Sequence, residues 1–168
     1  KILLKCMRCG HEWMAVPSSV LRGSHCPNCI AAGTSFMEMA IFYAFSMALG
    51  DDAVKSRNKS VIGKELDIFI PDVKLAIEPG SWHWHEKKVN NDLQKQILCR
   101  KKGIKCITIY DSFTGDAVPF DDCWCYAENF SEPHNEPILR KVIEQLFLIA
   151  NIQQEFSDED WEQVKQLA

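Results

Sequence analysis

Two acids, Asp67 and Glu78, flank a turn signal, Pro71-Asp72, in a stretch otherwise rich in apolar and β-branched residues. Proline presets the first corner of a turn. A turn centred between Asp72 and Val73 aligns Ile70 with Leu75 and Ile68 with Ile77, which places Asp67 directly opposite Glu78. Side chains directly opposed on a sheet have Cβ atoms about 4.5–5.5 Å apart. Two carboxylates so placed repel each other unless a cation lies between them or one holds a proton. Oxygen ligands at this spacing suit Mg2+ or Mn2+. Such an ion binds a phosphate and lowers the pKa of a bound water. Leu66, Ile68 and Ile70 point the other way with Leu75 and Ile77, toward a core. Read alone, the pair is more simply two exposed strand residues without function, and a one-residue slip in register separates them.

Other residues of chemical interest lie close in sequence. His85 is a candidate general base near neutral pH. His83, two residues earlier, shares its face if the segment is extended. Trp82 and Trp84 either pack in a core or stack on bases. Asp92 sits where a helix would have its first turn, which alone explains an acid there. Glu38 follows Ser35 by three residues, a capping-box spacing.

A separate constellation opens the chain. Cys6-x-x-Cys9 and Cys26-x-x-Cys29 are separated by sixteen residues. Zinc takes four soft ligands in a tetrahedron, and a two-residue spacer lets both thiolates of a knuckle reach one ion. Disulfides are the alternative, in a secreted protein. A module of this size has no core of its own and is expected to unfold without metal. Cys123-x-Cys125, with His134, is a weaker candidate for a second metal; free thiols are the simpler reading.

The elements that must hold these groups follow from periodicity. Ser35 starts a helix whose Met37, Ala40, Ile41, Ala44, Phe45 and Ala48 form one apolar face, ended by Gly50-Asp51. Residues 61–70 and 73–78 read as two strands, with Pro79-Gly80 breaking the second. Asn90 or Asn91 caps a helix to Lys102, with Val89, Leu93 and Ile97 on one face, and Gly103 stops it. Residues 104–110 form a third strand; 111–135 are irregular; 136–152 and 158–168 are helical, Ser157 capping the last. The order helix, hairpin, helix, strand requires a crossover, so an α/β fold with a mixed sheet and flanking helices is expected. The domain division is 1–33 for the zinc module and 34–168 for the rest.

Here the residues resemble known families. Cys6-Met-Arg-Cys9-Gly-His-Glu-Trp13 with Arg22-Gly-Ser-His-Cys26-Pro-Asn-Cys29 resembles a treble-clef zinc finger of the kind found beside phage and bacterial nuclease domains. The run from Asp67 through Glu78-Pro-Gly-Ser-Trp-His-Trp84-His85, then Asn91-Asp92-Leu93, Gly103 and the strand to Tyr110, resembles the very-short-patch mismatch-repair endonucleases and related phage enzymes. The similarity covers about Ser35 to Tyr110. It implies a restriction-endonuclease-like fold of the PD-(D/E)XK superfamily and Mg2+- or Mn2+-dependent hydrolysis of DNA. Asp67 matches the metal-binding aspartate, His85 the histidine that takes part in catalysis, and Asp92 and Glu38 the supporting acids of the pattern abbreviated EDxHD. The Pro79 carbonyl is available as a metal ligand. The chain departs from the pattern at Gly80, where a Lys, Asp or His is usual, and no lysine stands two residues after Glu78; Lys88 is a candidate to supply that charge. These departures favour the alternative of a catalytically inactive, zinc-containing DNA-binding protein.

Net charge is −4, which gives no global signature of nucleic-acid binding. The segment 85–105 is nonetheless basic, and Lys87 and Lys95 are candidates for the DNA backbone, joined by Arg8 and Arg22 of the zinc module. The longest apolar run, 36–49, falls short of the roughly 20 residues of a membrane helix. With no signal peptide in view, a soluble, cytoplasmic protein without membrane partners is expected. A first residue of Lys1 reads as the edge of a fragment or processed chain.

Overall fold

The computed structural model describes residues 1–6, 10–21, 26–27, 34–131 and 135–168. Arg8, Cys9, Arg22, Cys29 and His134 therefore lie outside the described residues.

The chain opens with a hairpin of β1 (Ile2–Lys5) and β2 (Glu12–Ala15), followed by the short helix α1 (Pro17–Val20). Then comes α2 (Phe36–Leu49). Its start is set by Ser35, whose hydroxyl accepts the Glu38 N–H at 3.1 Å. Eight of its residues are buried, from Met37 to Ser46. A 3-10 turn at Asp51–Ala53 leads into β3 (Lys55–Asn58), β4 (Leu66–Ile70) and β5 (Leu75–Ser81). The single turn α3 (Trp82–His85) and a 3-10 turn at Glu86–Lys88 precede α4 (Val89–Lys101). Strands β6 (Lys105–Asp111) and β7 (Cys123–Cys125) complete one sheet, and α5 (Glu136–Ile149) and α6 (Asp158–Leu167) end the chain.

The five strands lie in the order β3-β4-β5-β6-β7. The first three are antiparallel and the last two run parallel to β5. This is the mixed α/β sheet with flanking helices that the element order requires. Ile68, Ile70, Leu75, Ile77, Ile107 and Ile109 pack with residues of α2, α5 and α6 on one face. Phe69, Ala76 and Cys106 pack with Cys99 of α4 and with Ile104 on the other. Helix α6 is held by a reciprocal capping box between Ser157 and Asp160 and by the fully buried Trp161.

The hairpin register is Ile68 with Ile77, Phe69 with Ala76 and Ile70 with Leu75, as the turn signal dictates. Four local readings need correction. First, β4 begins at Leu66, and 61–65 is turn, because polar Gly63-Lys64-Glu65 interrupts the alternation. Leu66 packs with Phe69 and Cys99 instead of Ile68; the row of Arg57 and Asp67 is missing from the β3–β4 ladder, and Arg57 there has a left-handed φ of 48°. Second, β5 does not break at Pro79-Gly80. An extended strand tolerates proline's φ and loses only one donor, and pairing with β6 continues to Ser81. Third, α4 buries Asp92, Gln96 and Cys99, whereas Ile97 is exposed; the face that turns inward lies over a polar site, so apolar spacing points to the wrong side. Fourth, Cys123–Cys125, inside the stretch expected to be irregular, is an edge strand, three residues long; Lys55–Asn58 forms the other edge.

Candidate active site

A cavity of about 620 Å3 opens where the parallel strands β5 and β6 end. Its lining includes Glu38 at the start of α2, Asp67 on β4, Pro79 and Gly80 on β5, His85 and Lys88, and Asp92 and Lys95 of α4. Ligand sites outside the carboxyl ends of strands are a general outcome of α/β sheets, because the strand ends and helix starts meet there.

Asp67 and Glu78 come together as the register demands, but through an unplanned contact. The Asp67 N–H donates to Glu78 Oε1 at 3.1 Å. The second Glu78 oxygen accepts from the Lys95 ammonium. Glu78 is 5% exposed and lies beneath the cavity floor, with Asp67 and Lys95 above it. Two carboxylates and one ammonium leave one buried negative charge uncompensated. Burial, and then Asp67, push the Glu78 carboxyl well above the ordinary carboxylate range. Burial likewise raises Asp67, opposed by the Lys95 charge. Burial works against the charge of Lys95, but Glu78 and Asp67 outweigh it and hold the ammonium protonated. Among the described residues, no three or more His, Cys, Asp or Glu side chains converge on one metal position. Asp67, which lines the cavity together with Pro79, is the accessible part of the carboxylate pair, and Glu78 joins it around an ion only if Lys95 yields.

Glu38 contributes a third acid. Its backbone N–H is the one that Ser35 caps, so its side chain is free to line the cavity. Burial, reinforced by Asp67, raises its pKa to about 7. The sign of the stability effect follows. The folded state keeps a proton on Glu38 that the unfolded chain releases near its ordinary value of 4.5, so stability falls as pH rises from there to about 7 and is lowest above it. Glu38→Gln is expected to flatten this window, stabilising the protein at pH 8 by up to about 3 kcal/mol with little effect at pH 4. Melting temperatures across the pH range, without divalent cation, measure it.

Facing the acids is a hydrogen-bonded chain. His85 Nδ1 lies 2.7 Å from Asp92 Oδ2, and the Tyr110 hydroxyl donates to the same oxygen at 2.6 Å. Burial works to raise Asp92, but the hydrogen bonds from His85 and Tyr110 prevail and its pKa is lowered. Burial and the bond to Asp92 drive the Tyr110 phenol far up, so it stays a donor. An anionic Asp92 keeps the proton on Nδ1 and leaves Nε2 as the acceptor. His85 lies in a helical turn, so His83 does not share its face as it would on a strand.

Gly80 has a steric reason to lack a side chain. A Cβ at residue 80 would stand 2.5 Å from His85 Nε2. The imidazole, arriving from α3, occupies the room that a side chain on β5 would fill. Gly80→Ala is therefore expected to tilt the ring off Asp92 and cost about 100-fold in any reaction that uses His85, since misplacement of about 1 Å has that effect. The ratio of turnover at equal folded fraction checks it.

Lys95, expected to meet DNA along a basic stripe, is turned inward, its side chain 13% exposed. Lys88 lines the cavity but makes no ion pair with Glu78. The lysine that pairs with Glu78 in space is Lys95. Helical spacing carried the signal: Lys95 follows Asp92 by three residues, on one helix face. Tyr110 was legible only through register, as the β6 partner of Gly80. Arg57 and Asp111 also line the cavity without having been anticipated. Asp111 accepts from the Ser131 hydroxyl, and its other oxygen is buried without a hydrogen bond.

At the N-terminus, residues 1–32 match the model of a family described as a probable treble clef zinc finger domain. No curated protein and no solved structure matches the chain. The described half of the first knuckle fits a zinc ligand turn. The Cys6 N–H donates to the His11 carbonyl at 2.8 Å, the Gly10 N–H donates to the Cys6 carbonyl at 2.9 Å, and Gly10 has φ 73°. These bonds fold the chain back between β1 and β2, as a Cys-x-x-Cys pair requires. Cys26 is buried. Cys6, Cys9, Cys26 and Cys29 would hold a structural zinc. None of the described helices is long and apolar enough to cross a membrane.

Proposed function

We propose that residues 34–168 form a divalent-metal-dependent DNA endonuclease similar to the PD-(D/E)XK and very-short-patch-repair enzymes. The observation that carries the reading is the juxtaposition, across one cavity, of the Asp67–Glu78–Lys95 cluster and the His85–Asp92–Tyr110 chain. Asp67, Glu78 and the Pro79 carbonyl would hold Mg2+ or Mn2+. When bound, that ion supplies Lewis acidity toward a phosphate oxygen and acidifies water. His85 Nε2 takes a proton from the attacking water, and Asp92 stabilises the imidazolium that results. Glu38 is placed to hold or pass a proton near neutral pH, given its raised pKa. Lys87 and Lys88, exposed beside the cavity, meet backbone phosphates, and the zinc module grips flanking duplex.

One observation favours a second reading, a zinc-containing DNA binder without catalysis. Lys95 already neutralises Glu78, so a cation must compete with an ammonium for that oxygen. Incubating supercoiled plasmid with the protein and Mg2+ or Mn2+ separates the two. Metal-dependent nicking or linearisation supports the endonuclease, and salt-sensitive binding without cutting selects the binder.

A further inference from the structure

We propose that Cys123 and Cys125 form a second soft-metal site, distinct from the zinc module and independent of the endonuclease reading. The two thiols share an S–H···S hydrogen bond, their sulfurs 3.8 Å apart. Sulfurs about 2.3 Å from one tetrahedral ion are separated by about 3.8 Å, so the pair already stands at the separation that a zinc-class ion imposes. A disulfide is the competing use of two neighbouring thiols, and geometry argues against it. Residues two apart on an extended strand have Cβ atoms roughly 6.6 Å apart, whereas a disulfide needs about 3.5–4.5 Å. Both residues are strand residues of β7, so closing the bond means unpairing the strand from β6, while a bridging metal leaves it in place.

The surroundings suit a ligand pair. Cys123 and Cys125 are the register partners of Thr108 and Tyr110, which puts both side chains on the face covered by α4. Cys123 is buried, anchoring one ligand, and Cys125 is half-buried, which leaves a route for an ion from solvent. Solvent or another ligand completes the coordination on the half-buried Cys125 side. The chemical class is a thiophilic ion such as Zn2+ or Cd2+, because thiolates select soft metals over Mg2+.

The test uses the full, reduced chain titrated with Cd2+ in excess Mg2+, reading the thiolate-to-cadmium charge-transfer absorbance, which counts sulfur ligands and is blind to carboxylates. The wild type is expected to reach an amplitude one half larger than the Cys123→Ser/Cys125→Ser variant, six bound thiolates against the four of the zinc module. Equal amplitudes overturn the proposal. Should the double variant fail to fold by circular dichroism, alkylation of wild-type Cys125, followed by mass spectrometry, decides: Cd2+ added beyond the amount that fills the zinc module should slow it at least tenfold, and an unchanged rate overturns the proposal.

Discussion

Asp67→Asn is expected to remove DNA cleavage and, without divalent cation, to make the protein more stable. The two effects share one cause. Asp67 is a half-buried carboxylate held near Glu78 with a single ammonium, Lys95, to serve both. In the resting fold that arrangement is unfavourable, as the raised pKa of each acid expresses. A neutral amide relieves the repulsion and leaves Lys95 to Glu78 alone. An acid whose folded pKa is raised lowers stability once pH passes its unfolded value. The gain should therefore appear near neutral pH and vanish in acid. A relief of about 1 kcal/mol corresponds to a rise of roughly 2–4 °C in Tm for a chain of this size. Catalytically, a metal contributes several kcal/mol of charge stabilisation, so weakening its accessible ligand should slow cutting by about 1,000-fold or more. Mg2+ should stabilise the wild type by mass action and the variant far less. Cutting at the wild-type rate removes Asp67 from the chemistry. A lowered Tm would mean that the aspartate supports the fold and is not held there against repulsion.

Much of this site can be read from the chain, and the reasons differ by residue. The register of β4 and β5 follows from Pro71-Asp72 and from Ile68, Ile70, Leu75 and Ile77, four apolar residues on one face, because a slip of one would turn all of them to the wrong face. The zinc module is legible because its ligands are local and chemically selective, and the family match spans residues 1–32. Helices α2 and α6 announce themselves through Ser35 and Ser157. The edge strands are a different matter. Residues 55–58 are polar because β3 is an exposed edge, and β7 has only three residues, so neither carries the period-2 pattern on which sequence reading depends.

The helix α4 shows why the site itself was only half legible. Its inward face carries Asp92, Gln96 and Cys99, with Lys95 beside them, where an ordinary amphipathic helix carries aliphatic residues. Gln96 bonds Thr108 and the Asp122 carbonyl, so the polar face is satisfied and not merely tolerated. A reading that seeks the apolar stripe must pick Val89, Leu93 and Ile97, and then Lys95 looks like surface. Functional elements violate the binary pattern because the cavity needs polar groups from every wall. The same logic hid the reason for Gly80, since the side chain that forbids a Cβ there is five residues later in sequence.

His85→Ala should slow cutting by about 100- to 10,000-fold, the range for loss of a general base, with little change in Tm because the ring is held at the surface of the cavity and not in the core. Asp92→Asn is the sharper variant. The Asp92 carboxylate accepts from both His85 and Tyr110 through one oxygen; an amide keeps both bonds only with its own oxygen in that place, and it has lost the negative charge that stabilises an imidazolium. If it turns its NH2 toward His85, Nδ1 becomes the acceptor and the proton moves to Nε2, which can no longer accept one from water. Asp92→Asn should then approach the loss seen in His85→Ala, and the double variant should be no slower than the worse single one, as for residues acting as a unit. Tyr110→Phe removes one of the two donors and keeps the tautomer, so it should cost only about tenfold, equivalent to about 1.4 kcal/mol. Single-turnover cleavage at saturating Mg2+ measures all four. If the His85 and Asp92 losses multiply in the double variant, the two act independently, and the imidazole's proton relay is not what Asp92 is there to hold.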